Sequence, residues 1–157
     1  MTLEARLLDK LKSGPYLLAT AESCTGGLIG HRITNVSGSS AHYMGGVVAY
    51  SNAAKMQLLS VPEATLIEHG AVSAETAAAM ADGARTLFDV DFALSVTGIA
   101  GPGGGTAEKP VGLTYIGLAL PGETKVERFI WNGNRAANKA ASVDAAFEML
   151  LQHYDLR

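Results

Sequence analysis

The chain has 157 residues, of which 48% are hydrophobic and 17% charged, and its formal net charge is −3. This length and composition predict a single folded domain, residues 1–157, and exclude an intrinsically disordered chain. No basic block is present, so we expect no nucleic-acid partner. No apolar run approaches the roughly 20 residues that span a bilayer, and the N-terminus lacks a signal-peptide core, which predicts no membrane association and a cytoplasmic location. The single cysteine, Cys24, excludes a disulfide framework within the chain.

Hydrophobic periodicity and turn residues predict that helices alternate with strands in the first half of the chain. The predicted elements are, in chain order, a helix at 3–11, a strand at 16–21, a helix that follows Thr25 and reaches about Val36, a strand at 44–50, and a helix that begins near Ser51 or Asn52. Between the second helix and the second strand, the small polar residues 37–40 predict a turn.

The alternation continues to the end of the chain. The predicted elements are a short helix from Pro62 to Gly70, an alanine-rich helix from Ser73 to about Phe88, strands at 91–97, 111–120 and 124–131, and a last helix from Asn134 to about Tyr154. The short Pro121-Gly122 connection implies an antiparallel pair. We therefore predict an α/β fold, a three-layer α/β/α sandwich with a mixed, mostly parallel sheet and one antiparallel hairpin.

A polar segment, Ala21 to Gly27, lies between the first predicted strand and the helix that follows it. Chemistry in α/β folds occurs at the carboxyl edge of the sheet, where a helix N-terminus also supplies free N–H groups. Ser23 is therefore a candidate nucleophile or anion contact. The alternative is a serine that caps the helix beside glycines needed for packing.

Two other predicted strand ends carry polar residues. Tyr50 ends the second strand, Lys55 lies one turn into the following helix, and Thr97 precedes the glycine-rich segment Gly98 to Gly105. Parallel neighbouring strands would bring these residues to one cleft beside Ser23. Serine–lysine pairs are a known variant of the serine triad, and the lysine must be neutral to act as a base. Taken one at a time, Tyr50 and Lys55 also fit structural roles at a core edge and in a solvated helix turn.

Known cofactor and metal motifs are absent from the sequence. The glycine-rich segment leads into a strand rather than a helix, so it does not fit a dinucleotide-binding fingerprint, and it contains no phosphate-binding G-K-[ST] sequence. The four histidines show no metal-ligand spacing. We expect neither a metal nor a dissociable cofactor.

Taken together, these motifs resemble the CinA carboxy-terminal domain family over nearly the whole chain. The matching segments occur in order and are Ala21 to Gly27, Ser37 to Ser40, Val48 to Asn52 with Lys55, His69 to Ser73, Ser95 to Pro102 followed by Gly104-Gly105, Lys109 to Gly112, and Gly133 to Arg135. Family members occur alone or fused behind a molybdopterin-binding-like domain, and we expect this chain to lack that domain.

The resemblance implies hydrolysis of the carboxamide of nicotinamide mononucleotide (NMN) to nicotinic acid mononucleotide and ammonia, a step in pyridine nucleotide recycling. It implies that Ser23 is the nucleophile, that Lys55 is the base assisted by Tyr50, and that Thr97 belongs to the catalytic group. The predicted substrate contacts are Thr25, Gly26, Gly101, Gly103, Gly104 and Arg135. For the substrate phosphate, the Gly101 to Gly105 loop and Arg135 are the candidates, and Arg32 is an alternative cation.

Two other functions remain open at the level of sequence. One is a non-catalytic nucleotide-binding or regulatory module that uses the same cleft, and the other is an amidase that acts on a different small amide. Exposed apolar surface could support a homo-oligomer, but the sequence does not show which apolar face is exposed.

Overall fold

The computed structural model describes residues 1–155 as a five-stranded sheet between two layers of helices. The elements are α1 (Leu3–Leu11), β1 (Leu18–Glu22), α2 (Leu28–Thr34), a 3-10 turn (Ser39–Ala41), β2 (Tyr43–Val48), α3 (Asn52–Leu59), α4 (Glu63–His69), α5 (Ala74–Phe88), β3 (Phe92–Gly98), β4 (Leu113–Leu120), β5 (Glu123–Ile130) and α6 (Arg135–Asp155). Residues 156 and 157, the end of the predicted domain, lie outside the described range.

The strand order is β2-β1-β3-β4-β5. β1 lies between β2 and β3 and runs parallel to both, whereas β4 is antiparallel to β3 and to β5. Four of the five strands therefore run in the same direction, and β4–β5 forms a hairpin through Pro121-Gly122. The predicted α/β/α architecture with a mostly parallel sheet and one hairpin is confirmed.

The two faces of the sheet pack differently. Large side chains such as Leu18, Phe92 and Ile116 face the layer formed by α1, α2 and α6, whereas alanines such as Ala93 and Ala119 face the layer formed by α3, α4 and α5. Successive side chains on a strand point to opposite faces, so the sequence alternation assigns each residue to one layer. Small residues on one face allow α5 to lie close to the sheet.

Close packing of α5 depends on Gly117 in β4. A Cβ atom at this position would lie 2.7 Å from the carbonyl oxygen of Ala77 in α5. Ser95, in the neighbouring strand β3, donates a 2.6 Å hydrogen bond to the same oxygen. This contact joins the middle of α5 directly to the sheet.

Arg32 joins the three helices of the opposite layer. Its guanidinium donates to Glu4 of α1 at 2.9 Å and to Asp144 of α6 at 2.7 Å, and it lies 5.1 Å from the ring centroid of Phe147. The hydrogen bond with Arg32 lowers the pKa of Glu4. Because Arg32 is already paired with two carboxylates, the structure does not support its use for a substrate phosphate.

Several predicted boundaries differ from the observed ones, including the following three. β2 ends at Val48, where its partner β1 ends at Glu22, so Tyr50 lies in the following loop rather than in the strand. β1 begins at Leu18 and not at residue 16. α2 is shorter than predicted and begins only at Leu28, because the two preceding residues adopt positive φ angles that a right-handed helix does not use. Within residues 1–155, no helix combines the length and the apolarity that crossing a bilayer requires.

Candidate active site

Ser23 lies where the carboxyl ends of the three parallel strands meet. Its backbone N–H donates to the carbonyl oxygen of Val96 in β3 at 2.9 Å. The N–H of Ala49, just after β2, donates to the carbonyl oxygen of Glu22 at 2.8 Å. These bonds extend the sheet by one residue on each side of β1, and they hold Ser23, which is 8% exposed, between the other two strand ends.

A buried carboxylate fixes the turn that follows Ser23. Glu22 is 2% exposed, and its carboxylate accepts hydrogen bonds from the Thr25 hydroxyl at 2.7 Å and from the backbone N–H groups of Ile29 and Gly30 at 2.9 and 3.1 Å. The first turn of a helix has N–H groups without helical partners, and Glu22 supplies acceptors for two of them in α2. The carboxylate therefore connects β1, the turn and α2.

The turn itself requires glycines. Gly26 and Gly27 have φ angles of +59° and +102°, a region that residues with a Cβ rarely adopt. Of the predicted substrate contacts in this segment, Thr25 is 1% exposed and binds Glu22, and neither Thr25 nor Gly26 lines the cavity at Ser23. Their observed role is to shape the turn, and their assignment as substrate contacts stays a prediction.

Lys55 reaches Ser23 from the second layer of helices. It is the fourth residue of α3, whose N-terminus is capped by a hydrogen bond from the Ala54 N–H to the Ser51 hydroxyl. Lys55 is only 1% exposed, and its Nζ lies 2.9 Å from Ser23 Oγ and 2.9 Å from the carbonyl oxygen of Ala49. The predicted serine–lysine pair is thus within hydrogen-bonding distance.

The surroundings of Lys55 favour its neutral form. Burial lowers its pKa, and among the side chains that the structure describes no carboxylate forms an ion pair with it. A neutral amine has two N–H groups and one lone pair. If one N–H donates to the Ala49 carbonyl, the lone pair can accept the Ser23 hydroxyl proton, which is the arrangement a general base needs.

Ser23 and Lys55 open into a cavity of about 290 Å³. It brings together six further residues that the sequence singled out, namely Tyr50, Thr97, Gly101, Gly103, Gly104 and Arg135. The glycine-rich segment forms one wall, and the loops that follow β2 and α4 contribute others. The convergence of three strand ends on one cleft, expected from the parallel sheet, is therefore observed.

Thr97 is buried in the wall of the cavity and is 1% exposed. Its hydroxyl donates a 2.7 Å hydrogen bond to the carbonyl oxygen of Ala71, which lies between α4 and α5. Thr97 thus ties this loop to β3, while an oxygen lone pair remains available for a hydrogen-bond donor.

Tyr50 and Arg135 lie at the mouth of the cavity. Tyr50 is 62% exposed, and its hydroxyl accepts a 3.1 Å hydrogen bond from Arg135. Arg135 also donates to the carbonyl oxygen of Gly101 at 2.7 Å. The hydroxyl of Tyr50 is thus bound to Arg135 rather than to Lys55, and the assistance of Lys55 by Tyr50 stays a prediction.

Asn138 was not singled out from the sequence. It is 2% exposed, donates to the carbonyl oxygen of Ala100 at 3.0 Å, and accepts from the N–H of Gly133 at 2.9 Å. Together with Arg135, it attaches the glycine-rich segment to the first turns of α6. A buried-face asparagine in an otherwise alanine-rich amphipathic helix was the available signal, since buried polar groups require partners.

The neighbouring thiol is unsuited to nucleophilic attack. Cys24 lines the cavity, and burial raises its pKa to about 11. The thiolate is the reactive form of cysteine, so Cys24 remains protonated near neutral pH. Among residues 1–155, no group of three or more histidine, cysteine, aspartate or glutamate side chains is arranged to hold a metal ion.

Solved structures share this fold. A competence/damage inducible protein, CihA, from Agrobacterium tumefaciens aligns with a TM-score of 0.93 and 42% identity over 96% of this chain and 92% of that one. A CinA superfamily protein from Klebsiella pneumoniae aligns with a TM-score of 0.95 and 32% identity over 99% of this chain and 97% of that one.

Curated relatives are similar in sequence but much longer. A CinA-like protein of a Geobacter species is 56% identical over 133 residues, which are 85% of this chain and 32% of the relative. A putative competence-damage inducible protein of Halothermothrix orenii is 53% identical over 137 residues, 87% of this chain and 33% of the relative. The chain thus spans about a third of the length of these relatives. The CinA C-terminal domain model matches residues 1–154, and the chain belongs to the CinA C-terminal domain family.

Proposed function

We propose that this domain is a serine amidohydrolase that converts NMN and water to nicotinic acid mononucleotide and ammonia. The observation that carries the proposal is the 2.9 Å contact between Ser23 Oγ and a lysine Nζ that is fully buried and has a lowered pKa. A surface lysine would be protonated at neutral pH and would be useless as a base, whereas a buried one can be neutral. The sequence resemblance supplies the choice of NMN as the amide.

In the first half of the reaction, Ser23 Oγ bonds to the carboxamide carbon while its proton passes to Lys55 Nζ. Backbone N–H groups after Ser23 stabilise the negative charge that forms on the carboxamide oxygen. The carbon–nitrogen bond then breaks, and the leaving nitrogen takes the proton from the Lys55 ammonium to leave as ammonia. An ester between Ser23 and the nicotinoyl group remains.

In the second half, water attacks the ester carbon and gives its proton to Lys55. The bond between Ser23 Oγ and the carbon breaks, Ser23 regains a proton from Lys55, and the product acid loses its proton to solvent and leaves as a carboxylate. Lys55 ends as it began, so the cycle consumes one water and releases one ammonia. Thr97 and the glycine-rich segment form the walls that hold the ring in this orientation, and Tyr50 and Arg135 close the entrance.

The test is ammonia release from NMN by the wild-type protein and by Ser23→Ala. We expect turnover to fall by at least about a thousandfold in Ser23→Ala, because the nucleophile is removed. Cys24→Ala is the matched control, because it alters the adjacent residue in the same cavity, and we expect it to keep most of the activity. Turnover is also expected to withstand EDTA, since no metal has a role in the proposed steps.

Three outcomes would contradict the proposal or a part of it. Wild-type turnover in a folded Ser23→Ala protein, checked by circular dichroism, would remove Ser23 from the nucleophile role. Binding of NMN without ammonia release by the wild-type protein would favour a nucleotide-binding module instead. Faster hydrolysis of free nicotinamide than of NMN would point to a different small amide as the substrate.

A further inference from the structure

A second cavity adjoins the mouth of the first. It has a volume of about 370 Å³ and is lined by Leu28, Arg135, Ala136 and Lys139. Arg135 lines both cavities, so the two spaces share this residue. A molecule held at Ser23 would have to extend past Arg135 to reach Lys139.

Lys139 lies over the turn that carries Ser23. A Cβ atom at Gly26 would be 3.8 Å from Lys139 Nζ, and no nearer atom would surround it. The ammonium group therefore faces the glycine turn and not the solvent side of α6. Because Gly26 has no Cβ, the ammonium group lies close to the backbone of the turn.

The positive charges of this cavity have no counterions among the described side chains. Within residues 1–155, no ion pair involves Arg135 or Lys139, and Arg135 donates only to the neutral oxygens of Gly101 and Tyr50. Arg32, in contrast, is paired with two carboxylates. In a chain whose net charge is −3, two cations without counterions at a cavity mouth indicate a local site for an anion.

The position of these cations also disfavours a purely structural role. Arg135 and Lys139 lie in the first two turns of α6, whose first turn contains no acidic residue. The N-terminal end of a helix carries a partial positive charge, so a cation in the first turn, as Arg135 is, costs stability rather than adding to it. An anion bound between Arg135 and Lys139 would offset this cost.

We propose that Lys139, together with Arg135, binds the phosphate of a nucleotide whose amide end lies at Ser23. Leu28 and Ala136 supply the apolar wall against which the sugar packs. This inference adds Lys139 and the second cavity to the substrate site, and its choice of nucleotide depends on the proposed function. It assigns the glycine-rich segment to the ring and the amide rather than to the phosphate.

The test is a binding measurement that does not require turnover. In a Ser23→Ala background, calorimetric titration compares NMN with nicotinamide riboside, which lacks the phosphate. We expect Lys139→Ala to weaken NMN binding about tenfold or more, as for loss of a charge-assisted contact, and to leave riboside binding unchanged. Lys139→Arg keeps the charge and is expected to retain most of the affinity for NMN. Lys125→Ala, on the exposed face of β5, is the matched control and is expected to change neither affinity.

Each outcome separates this inference from the proposed function. Equal NMN affinity in Lys139→Ala and its parent, with unchanged Tm, overturns the phosphate site even if NMN is hydrolysed. An equal loss of affinity for NMN and the riboside also overturns it, because the contact would not be with the phosphate. A selective loss of NMN affinity supports the site, even if the wild-type protein releases no ammonia and the proposed reaction is wrong.

Discussion

At the scale of single residues, the lysine beside Ser23 determines what chemistry the cavity can support. A buried ammonium without a carboxylate partner is costly, so Lys55 loses its proton more readily than a solvated lysine. In the proposed reaction, the same burial that lowers the pKa makes the amine a base for the Ser23 hydroxyl. Lys55 would thus combine a structural cost with a catalytic use.

Lys55→Arg is expected to be nearly inactive, with kcat reduced at least about a hundredfold, because a guanidinium stays protonated. In the wild-type protein, kcat/KM is expected to rise with pH through the lowered pKa of Lys55 and then level off. Steady-state kinetics of both proteins across pH check this. If Lys55→Arg kept kcat and only raised KM, Lys55 would be a binding group and not the base.

Glu22→Gln tests the carboxylate that fixes the turn. A glutamine offers one acceptor oxygen and an NH₂ group, which would face an N–H donor of α2. Loss of hydrogen bonds to a buried charge is expected to lower the free energy of unfolding by about 1.5–3 kcal/mol. Urea unfolding measures this. An unchanged midpoint would show that the turn does not depend on the Glu22 carboxylate.

At the scale of elements, the site depends on how closely α5 packs against the sheet. The strand faces toward α5 carry alanine, serine and glycine, and α5 itself is rich in alanine. Small side chains allow the backbones to approach, as the contact between Ser95 and Ala77 shows. This packing fixes β3, and β3 carries Thr97 into the cavity.

Gly117→Ala places a Cβ atom 2.7 Å from the Ala77 carbonyl oxygen, so α5 or β4 must move. Overpacking of this kind is expected to cost about 1–3 kcal/mol of unfolding free energy. Gly103→Ala is the matched control for stability, because a Cβ atom at Gly103 would have no neighbour within 4 Å and the φ angle there is not positive. Equal Tm values for the two variants would contradict the close approach of α5.

At the scale of the whole molecule, the buried lysine couples stability to pH. An unfolded lysine has its ordinary pKa, whereas burial lowers the pKa of Lys55 in the folded state. Between the two pKa values the unfolded chain binds more protons, so this group makes stability increase with pH and costs most below the folded pKa. Replacement of Lys55 by an uncharged residue removes this dependence.

Lys55→Met is therefore expected to gain stability relative to the wild type as pH falls from about 10.5, by about 1.4 kcal/mol per pH unit until the lowered pKa of Lys55 is reached. Denaturant unfolding of both proteins from pH 6 to 11 measures the difference. The loss of a donor to the Ala49 carbonyl adds a pH-independent offset, so the slope of the difference is the relevant quantity. If the difference in unfolding free energy between the two proteins did not vary with pH, the pKa of Lys55 would not be lowered in the folded protein.

The sequence by itself determined the order of helices and strands, the α/β/α architecture and the family. It also predicted that Ser23 and Lys55 lie together in one cleft. Each residue lies near a strand-to-helix junction, and parallel strands bring such junctions to one edge of the sheet. The order of the elements and the edge of the sheet at which their polar residues meet follow from local hydrophobic periodicity, so the sequence is sufficient to predict them.

Only the tertiary structure decided which partner each polar side chain has. Thr25 binds Glu22, Arg32 binds two carboxylates, and Tyr50 binds Arg135 instead of Lys55. Most of these contacts join residues far apart in the chain, and Asn138 reaches the glycine-rich segment 38 positions away. Which side chains pair depends on the direction in which each one points across packed helices and strands. The spacing of residues along the sequence does not give that direction.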